Sequence, residues 1–241
     1  MSSDWYLMSA SNLSGFEDDE FAVDKGGFTD ITNSFLGKSV AVYGTKITNT
    51  PTTIKAIIQN QTSDNFFNTH MRTIQCAIGS LKCGDYLYFD SQWWIVASMP
   101  ANNQVYEKAI LWYCKYQLKM MIPGASTAST YPAFFQDATQ YNSGETVKSQ
   151  MTIGAGQLMA YVPYNADTIK IDSDFRILAD RNTTQPTAYR VTKVDTLSYA
   201  FGTGGMICWM LVEDTLRTTD NIATMVADNT VPPTPTGSGG W

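Results

Sequence analysis

Along most of the chain, apolar and polar residues alternate with a period of two, the spacing that turns one face of a strand inward and the other to water. The stretches 39–44 (SVAVYG) and 53–59 (TIKAIIQ) are rich in β-branched residues and bounded by Asn, Pro and Thr, so both predict strands. A third strand is expected within 70–83. Gly84-Asp85 is a turn signal before 86–89 (YLYF), and Asp90-Ser91-Gln92 turns the chain into 93–96 (WWIV), which together predict a hairpin. Over 110–120 the even positions are Ile110, Trp112, Cys114, Tyr116, Leu118 and Met120, while the odd ones include Lys115, Gln117 and Lys119. One strand is predicted there, with its core face on the Ile/Trp/Cys/Leu side and its lysines outward. Further strands are expected at 157–163, ended by Pro163, and at 175–178, 187–195 and 206–212. Helix signals are confined to 64–70 and 220–228.

This pattern divides the chain. Residues 1–36, apolar at the tip and acidic behind it, read as an N-terminal arm, and 37–120 as a first β domain. Residues 121–150 are broken by Pro, Gly, Ser and Thr and read as a linker or one projecting loop, whose aromatic island Tyr131-Pro132-Ala133-Phe134-Phe135 suits docking. Residues 151–220 form a second β domain, and 221–241 a C-terminal tail ending in VPPTPTGSGGW. The expected fold is mainly β: two antiparallel β-barrel or β-sandwich domains with an extended N-terminal arm and a C-terminal tail.

Composition sharpens this picture. Of the 241 residues, 44% are hydrophobic and only 16% charged, against roughly 25% charged in an average domain. A net charge of −6 without a Lys/Arg cluster argues against sequence-specific nucleic-acid binding, which needs concentrated positive charge. No run of apolar residues is long enough to span a bilayer, and Met1-Ser2-Ser3-Asp4 opens no signal peptide. Synthesis in the cytoplasm, without a membrane anchor and without secretion by the Sec route, is the expectation.

Candidate chemistry is sparse. Cys76, Cys83, Cys114 and Cys208 are widely spaced among apolar neighbours, the pattern of buried reduced thiols and not of a zinc site. His70 is the one histidine and has no G-x-S-x-G elbow to serve. Gly202-Thr203-Gly204-Gly205 lacks the G-K-[ST] of a phosphate loop and reads as a hairpin turn. Asp167, Asp172 and Asp174 carry oxygens suited to calcium but miss the Gly and Glu of an EF-hand loop. Glu17-Asp18-Asp19-Glu20 reads as a solvated charge run, since consecutive acids do not face each other across a cleft. Asn60-Gln61-Thr62 and Asn182-Thr183-Thr184 match the glycosylation pattern, unmodified in a chain without a secretory signal. No catalytic residue, cofactor-binding residue or metal ligand is assigned, and no cofactor is expected. Two rival readings stand beside a structural role: Trp93, Trp94 and Trp112 as a stacking surface for a carbohydrate or receptor, and an enzyme built on Asp172 and Asp174.

Three stretches, DWYLMSASNLSGFEDDEF, GDYLYFDSQWWIVASMPANNQVYEKAILWYCKYQLKM and AYRVTKVD with GGMICWMLVED, together resemble structural proteins of tailed bacteriophages of Gram-positive hosts. The resemblance implies a virion protein at the head–tail junction, similar to head-closure or stopper proteins that form a ring below the portal. It implies a homo-oligomeric ring of about six or twelve copies, with portal or adaptor and tail proteins as neighbours and genomic DNA passing non-specifically through the channel. The arm 1–36 and the segment 121–150 become the contact elements. Tail terminator, collar and decoration protein are the nearest alternatives.

Overall fold

The computed structural model describes residues 16–63, 66–137, 157–202 and 204–230. It is mainly β, with two barrel-like sheets preceded by one helix, α1 (Phe16–Asn33).

The first sheet holds β1 (Lys38–Gly44), β2 (Thr52–Ser63), β3 (Phe66–Cys76), β4 (Tyr86–Phe89), β5 (Gln92–Val96), β6 (Ala101–Asn102) and β7 (Glu107–Tyr113) in the order β3-β2-β1-β4-β5-β7-β6. All pairs are antiparallel, and β7 returns to pair with β3 from Met71↔Trp112 to Cys76↔Glu107. Closure leaves no open row of backbone donors and acceptors along the barrel. The β4–β5 hairpin matches the sequence expectation: Phe89 pairs with Gln92 across Asp90 and Ser91, both at positive φ (50° and 60°). That backbone suits the right-handed twist of the two strands.

The second sheet holds β8 (Tyr116–Met120), β9 (Ser129–Asp137), β10 (Gln157–Pro163), β11 (Arg176–Leu178), β12 (Ala188–Asp195), β13 (Ala200–Phe201) and β14 (Gly204–Asp214). Its order is β11-β12-β14-β10-β9-β8, with β13 forming a hairpin on β14. The outer strands β8 and β11 approach each other without a ladder between them, so this barrel keeps a seam.

Several sequence expectations are corrected here. Positions 110–120 are two strands in different sheets, broken at Cys114-Lys115, although Lys115, Gln117 and Lys119 do face water. The segment 121–150 contains β9, and its aromatic island docks into the chain's own core: Tyr131, Ala133 and Phe134 are buried. Residues 138–150 lie outside the described residues. Thus the second sheet starts at Tyr116, not at 151. Of the arm 1–36, residues 16–33 are helical where extended chain was expected, and 1–15 lie outside the described residues. Neither of the two weak helix signals becomes a helix among the described residues. Residues 66–70 open β3, and 220–228 is a turn closed by an Asn221↔Val226 bridge. Residues 221–230 are folded onto the second sheet, with Ala227 buried against Leu178 and Ala188, while 231–241 lie outside the described residues.

Strand parity explains the core. Leu87, Phe89, Trp94, Val96, Ala109 and Leu111 point into the first barrel. Tyr86, Ile95 and Cys114, on the opposite faces, join Leu118, Phe134, Tyr161 and Trp209 in a second cluster that runs without interruption from one sheet into the other. The two barrels are fused through apolar contact and are not beads on a linker.

Candidate functional site

The fusion is where the aromatic run 93–120 acts. Trp112 packs against Phe134 (ring centroids 4.8 Å apart), Tyr161 (4.9 Å) and Tyr199 (5.8 Å) of the second barrel. Trp93 packs among Tyr43, Tyr86 and Tyr88. Trp94 is 1% exposed, stacked on Phe89, with the Arg72 guanidinium 4.8 Å above its ring. Trp94 is thus core, while Trp93 and Trp112 are half-buried and packed into the joint, so the three do not form one exposed stacking platform. Around them, the Tyr86 hydroxyl donates to the Pro132 carbonyl (2.5 Å), and Asn165 Nδ2 donates to the Thr45 carbonyl (3.0 Å). Lys46 pairs with Asp167 (2.5 Å), which also accepts from the Tyr131 hydroxyl (3.0 Å). Gly84 and Gly205 bring the two backbones together, Gly205 N donating to the Cys83 carbonyl at 2.8 Å.

The residues singled out for chemistry are not brought together. Asp167 is held by Lys46, Asp174 by Arg190 (3.3 Å), and Asp172 accepts from the amide of Ser173. No group of three or more metal-ligating side chains occurs among the described residues. His70 lies in β3, where partial burial and the nearby Lys115 charge lower its pKa from the usual imidazole value. All four thiols are buried; burial, with Glu107 beside one and Asp85 beside the other, pushes Cys76 and Cys83 up to about 12, and burial pushes Cys208 up to about 11. Such thiols stay protonated at neutral pH. Gly202, Gly204 and Gly205 form the expected hairpin, with Thr203 outside the described residues. Glu17 to Glu20 fall on the first turns of α1, their side chains outside the described residues.

Two charged groups that sequence reasoning missed hold loops in place. Arg176 is 2% exposed and donates to both carboxylate oxygens of Asp220 (2.7 and 3.0 Å), to Asp214 (2.8 Å) and to the Thr215 carbonyl (2.7 Å). Its backbone is clamped by Asn229, which accepts from Arg176 N at 2.6 Å and donates to its carbonyl at 3.1 Å. Buried Glu107 accepts from the amides of Gly79 and Leu81, both at 2.8 Å. The available signal was a charged residue inside an apolar strand pattern, FRIL for Arg176.

Among the described residues, two features stand out as open to a ligand or partner. One is a cavity of about 220 Å3 at the mouth of the second barrel, lined by Tyr116, Phe135, Leu158, Ala179 and Tyr189 with Asp180 and Arg181 at its rim. Parity explains it: Tyr116, Leu118 and Met120, like Ala133 and Phe135, share the inward faces of their strands, and the deeper residues fill the barrel while the outermost layer leaves room. The other is an apolar edge on α1 and the turn after it, where Val23, Ile31, Phe35 and Leu36 are exposed.

Residues 17–113 match the YomX N-terminal domain family. The YomX-like segment covers less than half of the chain, and it starts one residue into α1 and ends on the last residue of β7. Its limits coincide with the helix and the closed barrel, so that unit, without the second sheet, is what the chain shares with the family. The family is phage-associated, and the likeness supports a phage-related protein. Neither curated proteins nor solved structures give a match. No helix among the described residues is long and apolar enough to cross a membrane.

Proposed function

We propose that the chain is a non-enzymatic structural protein of a tailed-phage virion, a head-closure or stopper subunit at the head–tail junction. The observation that carries the reading is the likeness of α1 and the closed first barrel to a phage-associated family. The architecture is compatible with the mechanical demand. A stopper confines packaged DNA under load, and two barrels sharing one apolar core resist bending more than two domains on a hinge, because bending would open buried aromatic contacts.

In this reading the subunits form a closed ring of about six or twelve copies, built from head-to-tail contacts whose rotation closes. The portal or adaptor lies on one side and tail proteins on the other. Genomic DNA passes through the channel without sequence-specific contacts, and the net charge of −6 weakens adhesion of phosphates to the wall. Reversing exposed acidic residues slows DNA ejection if this holds; unchanged retention and ejection count against it.

The deciding experiment is a count of this chain against the major capsid protein in purified particles by quantitative mass spectrometry. On the order of six to twelve copies per particle supports a single connector ring. Hundreds of copies point to a tube or decoration protein, and absence from particles removes the virion reading.

A further inference from the structure

The exposed turn after α1 and the cavity of the second barrel are complementary in size and charge. Phe35 is 94% exposed, yet it does not sit on a slack loop. Ser34 Oγ donates to the Ile31 carbonyl (2.6 Å) and accepts from Leu36 N (3.2 Å), and Gly37 N donates to the Ser34 carbonyl (3.2 Å). Gly37 lies so close to the Thr32 carbonyl that a Cβ there would sit 1.7 Å from its oxygen, and Lys38 is tied to Asp90 at 2.6 Å. The ring is thus presented outward by a hydrogen-bonded turn, with little ordering left to lose on binding.

The cavity has room for such a ring. An apolar protein cavity of about 150 Å3 accommodates benzene, and this one, at about 220 Å3, is lined by three aromatic rings and Leu158. Charge agrees as well. Phe35 follows the C-terminus of α1, whose last turn has no basic residue and carries Asp30, so the knob arrives with negative charge and the negative end of the helix dipole. The cavity rim carries exposed Arg181, while the rim's acid, Asp180, already accepts from Asn182 N (3.0 Å) and the Thr187 hydroxyl (2.8 Å). Phe35 is exposed and takes no part in lining the cavity of its own chain.

We infer that Phe35 of one copy seats its ring in the Tyr116–Phe135–Leu158–Tyr189 cavity of a neighbouring copy, with Arg181 facing the C-terminal end of the neighbour's α1. Knob and hole are different surfaces, so each bound pair keeps one of each free, and the series extends until it closes. The inference rests on the ring reading and names the contact that builds it.

The test uses the full chain in sedimentation-velocity ultracentrifugation, with circular dichroism to verify folding. Wild type assembles. Phe35→Asp, at a fully solvated position, sediments as a monomer, and so does Ala179→Trp, which fills the hole. Mixed, the two variants form one-to-one pairs and nothing larger, since each supplies the half that the other lacks. Arg181→Glu weakens assembly several-fold. A Phe35→Asp chain that assembles like wild type overturns this contact and leaves the ring to another surface. A wild type that stays monomeric at the highest concentration reached overturns both.

Discussion

Arg176 shows at the residue scale how a buried charge is retained. Its guanidinium has both Asp220 oxygens, Asp214 and a carbonyl around it, and Asp220 also accepts from the amides of Arg217 and Asp228 (both 2.8 Å). Removing one partner leaves a charge without compensation, so Asp220→Asn is expected to lose about 3 kcal/mol in urea unfolding, with Asp214 still in place. Burial raises the Asp214 and Asp220 carboxyl pKa values, but the Arg176 hydrogen bonds and neighbouring amides outweigh it and leave both lowered. A folded pKa below the unfolded one contributes stability that is present above about pH 4 and lost as pH falls through the folded value. The stability difference between wild type and Asp220→Asn should therefore shrink when urea unfolding is repeated near pH 3. The thiols give a second expectation. Buried and held protonated, Cys76, Cys83, Cys114 and Cys208 should react with a thiol reagent at pH 8 only in denaturant. Rapid labelling of any one in the native protein would contradict its burial.

At the scale of elements, the joint depends on glycines where backbones meet. Gly84 has φ +87°, and a Cβ there would lie 2.1 Å from the Gly205 carbonyl oxygen; Gly79 has φ +82° but open space around it. Both substitutions to alanine carry the conformational penalty of positive φ, and only Gly84→Ala also forces the barrels apart. The expected order of melting temperatures is wild type, Gly79→Ala, then Gly84→Ala several degrees lower; equal losses would mean that the contact is soft. Helix α1 runs the other way. Gly26 and Gly27 sit in its middle with nothing within 4 Å of a built Cβ and no positive φ. Replacing either with alanine should stabilise the helix by about 0.5–1 kcal/mol, seen as increased helical circular dichroism. These two glycines and the acidic run before them are also why the helix was illegible in the sequence. Its amphipathic signal is weak, and it is held locally, by Phe28 stacked on Tyr106 (5.1 Å) and by buried Thr32.

For the whole molecule, the shared core makes one cooperative unit of two barrels. Calorimetry should give a single transition whose calorimetric and van't Hoff enthalpies agree. Two resolved transitions would show that Trp112 and its partners couple the barrels weakly. The same continuity lets an exposed knob on the first barrel's side and a cavity in the second act as fixed points of one body, the condition for a ring of defined rotation.

The sequence alone determined what depends on near neighbours along the chain: the β class, from period-two alternation; the β4–β5 hairpin, from Asp90-Ser91 between aromatic runs; and the outward lysines 115 and 119. It also made the cysteines apolar filler. Only the tertiary structure decided which sheet each strand joins. A strand such as 110–120 carries the same alternation whether it continues or breaks at Cys114, because both sides of the break face apolar partners. Packing of Trp93 and Trp112 at the joint, burial of Trp94, insertion of 129–137 into the second sheet and the Arg176 clamp all pair residues far apart in the chain. Their energies come from surfaces that exist only after closure, and local pattern carries no record of them.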